Sequence, residues 1–536
     1  MAVDRTTPAG RLRGRAVGAA LTLLLGTAVP AGAASGGAGG GAVPEAVGVE
    51  LAARRAAAAG VRFGPCAEAD HLDAPVRCGT VVVPRDYTRP DGPRVRLTLS
   101  RLAATGGRKV RRQGALVLAP GGPDGAGSTG LYFPLVVDLA VWRPMAEAYD
   151  LVGYEARGVG RSAPVSCRDP ERPGRVSGAD PRHPSAAERR RLVTRAAAYA
   201  HGCARRTPGL AGYTTRNNAR DLEVLRAALG EQRLNLLGVG YGAYLGSVYG
   251  TLFPQRVRRL VLDSPPDPSP HRLGYRSLLS RPPAFETRWA DFRTWVAARD
   301  EVYRLGATAE AVRRSYERVR AAVARRPAGG VVGPAELHRA FLTAAYYDDY
   351  WPVRALALSA FLHGDRGLLA RQAGPMAGAA AEQEHAEAAG TAVACNDGRW
   401  PGDSGRWLRD ADRLARRAPF QTWPEVASRL PCAFWPGARA ERPVAVGAVP
   451  GALPPALVLA ARRDAAAPYP GAVEVRRRLP GAVLVTERGA GMHGLAGGPG
   501  DCVDARLRAY LLTGAVPRRD VECAPHPAPR PIRPAR

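Results

Sequence analysis

Residues 234–250 carry the stretch of this 536-residue chain that is best suited to chemistry. An apolar run at 234–238 is followed by glycines at every second position and then by a helix-like segment, which predicts a strand, a sharp turn and a helix. A nucleophile elbow, Gly-x-Ser-x-Gly, uses this geometry to expose a serine above a sheet. Gly240 stands at the serine position, so the frame of the elbow is kept without its hydroxyl.

The same turn also fits a dinucleotide-binding fingerprint. Gly238, Gly240 and Ala243 match Gly-x-Gly-x-x-Ala, and Asp263 ends the next apolar run about 20 residues later, where an acid would bind ribose. Such a fingerprint normally follows the first strand of its domain, whereas several strand-like runs precede this one. Dinucleotide binding therefore stays as an alternative function.

Two further candidates lie near the C-terminus. Asp464 follows the strand-like run 456–460, and His493 follows the run 482–486. The order nucleophile, acid, histidine is that of α/β-hydrolases. In such a site His493 would accept the serine proton and return it to the leaving amine, while Asp464 would hold the imidazole tautomer.

The elements that must position these residues alternate between strand and helix patterns. The predicted strands are an opening hairpin at 79–84 and 95–100 and further runs at 114–119, 149–154, 234–238, 259–263, 456–460 and 482–486. This alternation predicts an α/β fold with a parallel sheet covered on both faces. Between 266 and 440 amphipathic helix patterns dominate, for example at 308–324, 334–347 and 353–372, which predicts an inserted helical cap.

Four segments taken together resemble one known family. They are the glycine-rich loop 119–127, the strand and loop 149–162, the elbow with residues 253–263, and the C-terminal pair 463–469 and 489–494. Over nearly the whole mature length the chain resembles the secreted bacterial tripeptidyl aminopeptidases, α/β-hydrolases related to the proline iminopeptidases.

The resemblance implies roles for further residues. The backbone N–H groups of Tyr241 and of the Gly121-Gly122 turn would form an oxyanion hole. Asp397 would hold a substrate's α-ammonium, with a structural turn beside a cysteine as the alternative. No cofactor is implied.

Two function classes follow from the glycine at position 240. The chain is either an exopeptidase of this family that has become inactive or very weak, or a non-catalytic protein that binds peptides in the retained pocket. Loss of a triad member leaves an acceleration of only about 10³ to 10⁴-fold over water in template enzymes.

The ends of the chain predict export. Four arginines, an apolar run and Ala31-Gly32-Ala33 have the layout of a signal peptide over residues 1–33. Residues 34–60 are Gly/Ala-rich and then helical in composition, and we predict a linker or a loosely attached segment there. The ranges 61–265 and 441–523 are predicted to be the two parts of the hydrolase domain, 266–440 the cap, and 524–536 a disordered tail. No later apolar run is long enough to cross a membrane, so the mature chain is expected to be free of membranes.

Eight cysteines in an exported chain favour disulfides. We expect neighbours to pair: Cys66 with Cys78, Cys167 with Cys203, Cys395 with Cys432, and Cys502 with Cys523. A zinc site is not expected, because the sequence has no Cys-x-x-Cys and no close His/Cys cluster.

The net charge of +28 does not predict nucleic-acid binding. Arginines are scattered over the whole chain, Lys109 is the only lysine, and no basic stretch is interleaved with aromatic residues. A peptide is therefore the expected ligand.

Overall fold

The computed structural model describes residues 42–119, 127–169, 178–374, 380–436 and 442–533. The strands are β1 (Arg77–Pro84), β2 (Arg94–Leu102), β3 (Ala115–Ala119), β4 (Asp150–Tyr154), β5 (Leu234–Val239), β6 (Val257–Asp263), β7 (Leu457–Ala461), β8 (Val483–Glu487) and β9 (Val521–Cys523). They form one sheet in the order β1-β2-β4-β3-β5-β6-β7-β8-β9. β2 is antiparallel to both of its neighbours, and all other pairs are parallel. The predicted α/β class with a mostly parallel sheet is confirmed.

The α-helices of the described ranges are α1 (Glu45–Ala59), α2 (Arg143–Ala148), α3 (Ala186–Arg206), α4 (Thr215–Ala228), α5 (Tyr241–Leu252), α6 (Tyr275–Ala297), α7 (Asp300–Tyr303), α8 (Ala309–Arg325), α9 (Pro334–Tyr346), α10 (Trp351–Leu362), α11 (Gly367–Ala373), α12 (Ala380–Asp397), α13 (Ser404–Ala415), α14 (Thr422–Arg429), α15 (Pro470–Arg478) and α16 (Asp501–Thr513). Short 3-10 helices cover Glu68–Asp70, Gly127–Asp138, Leu210–Gly212, Pro254–Arg256, Asp348–Tyr350 and Leu430–Phe434.

The central strand β5 is buried on both faces. Its nearly continuous apolar sequence suits a position inside a parallel sheet, where helices cover both sides. Helices α1, α4, α5 and α15 contribute to the core on one face, and α2 and α16 to the core on the other. The carboxyl ends of β3, β5, β7 and β8 therefore lie at the same end of the sheet, where the loops that follow these strands meet.

Helices α6 to α14 all lie between β6 and β7 in the chain. Several of them share an aromatic core of their own, in which Trp289 stacks on Phe292 and Phe420. This is the interval in which the sequence predicts a cap, and the limits of that cap at 266 and 440 stay predictions. The predicted helix at 353–372 is in fact two helices, α10 and α11, because residues 363–366 interrupt it.

The linker predicted at 34–60 is wrong for its second half. Residues 45–59 form α1, which packs against α4 and buries Val49, Ala52 and Ala56. Glu45 at its start is paired with Arg220 of α4. The composition of this segment suits a helix, but a face built mainly from alanine gives a weak hydrophobic pattern, so its packing against α4 is hard to predict from the sequence.

The prediction of a disordered tail is wrong for residues 524–533. The imidazole of His526, with 4% of its side chain exposed, lies between Asp348 and Glu487, and the carbonyl of Pro529 accepts a hydrogen bond from Trp295. The edge strand β9 was also not predicted, because three residues are too short to show an alternating pattern. The C-terminal segment is held by the rest of the fold rather than by its own sequence.

The four predicted cysteine pairs are all disulfide-bonded. Cys66–Cys78 lies at the start of the sheet, Cys502–Cys523 joins α16 to β9, and Cys395–Cys432 joins two segments between β6 and β7. Among the described helices, none is both long enough and apolar enough to cross a bilayer.

Candidate active site

The turn between β5 and α5 has the geometry of a nucleophile elbow. Gly240 sits between the two elements with φ 55° and ψ −116°, a backbone conformation that residues with side chains rarely adopt. Its N–H donates to the carbonyl of Asp263 at 2.9 Å, which ties the turn to the end of β6. The structure thus has the strained turn that the sequence predicts, with glycine at its apex.

Tyr241 begins α5, so its N–H belongs to the first helical turn, which has no intrahelical acceptors. Its half-buried phenol is bonded to Thr215 Oγ1 at 2.9 Å and accepts a hydrogen bond from Asn218 Nδ2 at 2.8 Å. Burial, followed by the charge of Asp397, raises the pKa of this phenol. These bonds hold the residue predicted to supply an oxyanion donor. The other predicted donors, Gly121 and Gly122, lie outside the described residues.

Asp464 follows β7 by three residues and is almost fully buried. Its Oδ1 accepts the N–H groups of Ala466 and Ala467 at 2.8 and 3.0 Å. Its Oδ2 faces the Nδ1 of His493 at 2.9 Å. The carboxylate is therefore fixed on one side by backbone donors and aimed at the imidazole on the other.

His493 lies on the loop after β8. Its backbone N–H donates to the carbonyl of Tyr346 at 2.9 Å, and the two rings are 5.9 Å apart between centroids. The next residue, Gly494, lies against the elbow: a β-carbon there would be 3.2 Å from Cγ1 of Val239. The structure therefore brings the predicted acid and histidine together beside the turn that carries Gly240.

The electrostatic environment of His493 favours its protonated form. Burial by itself lowers the pKa of the imidazole, but attraction to Asp464, the hydrogen bond to Asp464 and attraction to Asp263 together raise it above the ordinary value. Because Nδ1 faces Asp464, the proton exchanged in a hydrolase reaction would be carried on Nε2.

Asp263 and Ser264, at the end of β6, take part in a way that the sequence did not predict. Asp263 Oδ2 accepts the N–H groups of Leu495 and Ala496, each at 2.7 Å. Ser264 Oγ accepts the N–H of Gly494 at 2.9 Å and donates to Asp263 Oδ1 at 3.0 Å. The only signal in the sequence was a pair of polar residues directly after an apolar strand.

These bonds overturn the dinucleotide-binding alternative. Asp263 is fully buried and its carboxylate is occupied by the histidine loop, so it does not present an acceptor to a ribose. The glycine-rich turn follows β5 in the middle of the sheet rather than the first strand of a nucleotide-binding domain.

Among the described residues, no group of three or more His, Cys, Asp or Glu is arranged to hold a metal ion.

Asp397 ends α12, and both of its carboxylate oxygens accept the N–H of Thr215, at 3.0 and 3.2 Å. A carboxylate in this position stabilises the N-terminus of α4. It also lines a small cavity together with Tyr244 and Arg442. The contacts agree with the structural alternative for Asp397, and binding of an α-ammonium stays a prediction.

Comparison with known proteins agrees with this geometry. A family model described as alpha/beta hydrolase fold matches residues 114–301, and one described as TAP-like protein matches residues 419–523. The tripeptidyl aminopeptidase of Streptomyces coelicolor is 47% identical over 494 residues, which cover 91% of this chain and 90% of that protein. The enzyme of the same name from Streptomyces lividans is also 47% identical, over 91% of each chain. Serine protease Hip1 of Mycobacterium tuberculosis is 30% identical over 86% of this chain and 91% of its own.

These relatives span almost the whole chain, and both matched segments include loops that build the site. The elbow, the paired Asp464 and His493, and the sheet order are those of an α/β-hydrolase. The chain therefore belongs to the tripeptidyl aminopeptidase family of α/β-hydrolases.

Proposed function

We propose that this chain is a peptidase-family protein whose acyl-enzyme chemistry is lost or very weak, because Gly240 supplies no nucleophile. The observation that carries the proposal is the glycine at the apex of an elbow beside a paired acid and histidine. In a serine peptidase the elbow hydroxyl attacks the scissile carbonyl, and the histidine accepts its proton. His493 and Asp464 form the hydrogen-bonded pair that such a transfer uses, but position 240 has no hydroxyl to give up a proton.

The substrate class is proposed from the relatives. Two of them are named tripeptidyl aminopeptidases, so the ligand expected here is a peptide held near its N-terminus. Restored activity would release short peptides, tripeptides first, from the N-terminal end of a chain.

Other serines near the elbow support the proposal because their hydroxyls have structural partners. Ser247 Oγ donates to the carbonyl of Ala243 within α5 at 2.8 Å. Ser162 Oγ accepts the N–H of Thr98 at 2.9 Å. Ser264 Oγ accepts the N–H of Gly494 in the loop that carries His493. All three residues are buried. Ser264 has a positive φ of 51°, but its hydroxyl is bonded to Asp263 and to the N–H of Gly494.

The deciding experiment compares the parent with Gly240→Ser on a chromogenic tripeptide anilide and on a serine-directed phosphonate. The matched control is Gly240→Ala, which adds the same β-carbon at the same positive φ without a hydroxyl. We expect turnover and labelling at position 240 in the serine variant only. Turnover by the parent would place the nucleophile elsewhere and overturn the proposal.

A second candidate function is peptide binding without cleavage. The N-terminal end of α5, which begins at the elbow, would attract the carboxylate of a bound peptide, and a protonated His493 would add to that attraction. Calorimetric titration of the parent with free tripeptides tests this candidate. Micromolar binding that is lost in His493→Gln would support it, and binding unaffected by that change would exclude this site.

We also propose that the chain is exported. The four disulfides support an oxidising compartment. Expression of the full chain in a secreting host, followed by N-terminal sequencing of the protein in the medium, tests the proposal. A mature N-terminus close to residue 34 is expected, and full-length protein retained in the cytoplasm would contradict it.

A further inference from the structure

The end of β6 joins two parts of the site that come from distant segments of the chain. The carbonyl of Asp263 accepts the N–H of Gly240, while its carboxylate accepts two N–H groups of the loop after His493. Ser264 binds that loop through its hydroxyl and binds β7 through its N–H, which donates to Leu459 at 2.8 Å. One dipeptide therefore contacts the elbow, the neighbouring strand and the histidine loop.

We propose that Asp263 and Ser264 are positioning residues of this site. Their hydrogen bonds hold the loop that follows His493 beside the elbow, and Asp263 places a second negative charge near the imidazole. The inference rests on the proposed function for its catalytic meaning, but not for its geometry. Asp464 aligns the ring from one side, and Asp263 fixes the backbone on which the ring is mounted.

The environment of Asp263 indicates a specific role. A buried carboxylate is costly unless hydrogen bonds satisfy it. Here Oδ2 accepts two charge-assisted bonds of 2.7 Å and Oδ1 accepts the hydroxyl of Ser264, so the anion is well supported. Burial nevertheless raises its pKa to about 6, against which those bonds and the charge of His493 act. The fold therefore keeps the Asp263 carboxylate near His493 although burying it costs desolvation energy.

Several other groups act on the same imidazole. Asp464 and Asp263 raise the pKa of His493, whereas Arg281 on α6 lowers it. Tyr347, the residue after α9, lies near the same two carboxylates. Burial raises the pKa of its phenol to about 12, and the charges of Asp464 and Asp263 add to the effect of burial. Tyr347 is therefore neutral at physiological pH, and Arg281 is the cation whose effect must stay constant in any test.

The test follows the imidazole itself in the parent chain, so it needs no catalysis. The full chain is labelled with ¹⁵N-histidine, and the ring signals of His493 are identified by their loss in His493→Gln. The pKa of His493 and the shift of its Nδ1–H are then compared between the parent and Asp263→Asn, which is nearly isosteric and removes the charge. We expect the pKa of His493 to fall and the Nδ1–H signal to move.

The matched control is Asp504→Asn. Asp504 is also a buried carboxyl whose pKa burial raises to about 6, and it accepts the N–H of Gly497 at 2.9 Å further along the same loop. Its hydrogen bond reaches Gly497, whereas Asp263 and Ser264 bind Gly494, Leu495 and Ala496. We expect this variant to leave the signals of His493 unchanged.

A kinetic arm uses Gly240→Ser as the background. Because a misplacement of about 1 Å can cost about 100-fold in rate, Asp263→Asn should lower kcat by about 100-fold with little change in KM. Asp504→Asn should leave both constants as they are. If Gly240→Ser is itself inactive, the proposed function fails, and the NMR comparison still decides the present inference.

The outcomes are distinct. An unchanged His493 pKa and Nδ1–H shift in a folded Asp263→Asn protein overturn the inference. If that variant does not fold, Ser264→Ala takes its place, since it removes only the hydroxyl that binds both the loop and Asp263. A change in the His493 signals in the same direction would then support the inference, and unchanged signals would overturn it.

Discussion

At the residue scale, the carboxylates of Asp464 and Asp263 affect the imidazole of His493 in different ways. Asp464 bonds directly to Nδ1 of His493 and, after the opposing effect of burial, contributes most to raising its pKa. Asp263 acts through the backbone of the following residues and through its charge. A triad acid of the first kind holds the imidazole in the correct tautomer and stabilises its cation. The two carboxylates should therefore give different kinetic signatures.

The first prediction concerns Asp464→Asn in the Gly240→Ser background. The amide cannot stabilise the imidazolium and allows the wrong tautomer, so kcat should fall by about 10⁴-fold. The pKa of His493 should also fall, because its largest source of stabilisation as a cation is removed, and the acid limb of the pH–rate profile should move to lower pH. A profile of kcat/KM against pH checks both effects. An unmoved acid limb would mean that another group controls it.

At the scale of elements, the C-terminal segment links the helices that follow β6 to the sheet. His526 Nδ1 lies 3.0 Å from Glu487 Oε1 at the end of β8, and its Nε2 lies 3.1 Å from Asp348 Oδ2 in the 3-10 helix after α9. Hydrogen bonds to Asp348 and then to Glu487 raise the pKa of His526 to about 10. The tail thus carries a buried cation between two anions that belong to different elements.

The second prediction is that His526→Gln destabilises the protein by about 3–5 kcal/mol at neutral pH, the usual cost of leaving buried charges without their partner. The folded pKa lies above the ordinary value of 6.5, so the contribution of this cation is complete below 6.5 and is lost as pH rises through about 10. The difference between parent and variant should therefore shrink between pH 7 and pH 10.

Urea denaturation at several pH values measures this difference. His201→Gln on the exposed face of α3 serves as the control and should change little. A constant difference across the pH range would argue that His526 contributes only by packing.

At the scale of the whole molecule, the disulfides are spread along the chain: two involve strands of the sheet, Cys167–Cys203 joins the segment after β4 to α3, and Cys395–Cys432 lies between β6 and β7. Cys395–Cys432 closes a loop with a sequence separation of 37, entirely between β6 and β7, whereas Cys66–Cys78 closes one of 12 at the edge of the sheet. A cross-link stabilises mainly by restricting the unfolded chain, and the effect grows slowly with loop length.

The third prediction follows from these lengths. Replacing both Cys395 and Cys432 by serine should lower the free energy of unfolding by about 4 kcal/mol, and the same change at Cys66 and Cys78 by about 3 kcal/mol. Chemical denaturation measures both values. Peptide mapping of the parent without reduction should recover the four neighbour links, and any link across these pairs would contradict the connectivity.

The sequence by itself determined the features that depend on local order. Apolar runs predicted eight of the strands, the glycine spacing predicted the elbow at Gly240, and the order of Asp464 and His493 after the last two long strands predicted their meeting. These predictions succeed because the carboxyl ends of parallel strands lie at one edge, whatever the loops between them do. Neighbour pairing of cysteines succeeded for a similar reason, since short separations bring thiols together most readily.

Only the tertiary structure decided the rest. Asp263 fitted a ribose-binding acid by its strand and spacing, but its carboxylate binds two backbone N–H groups that lie more than 230 positions away in the chain. Residues 45–59 and 524–533 have weak patterns of their own and become ordered through α4, Asp348 and Glu487. A local pattern records which face of an element is apolar, but it does not record which distant backbone groups a buried carboxylate or imidazole will meet. Those contacts form only when the chain folds, and at this site they fix the loop that carries His493.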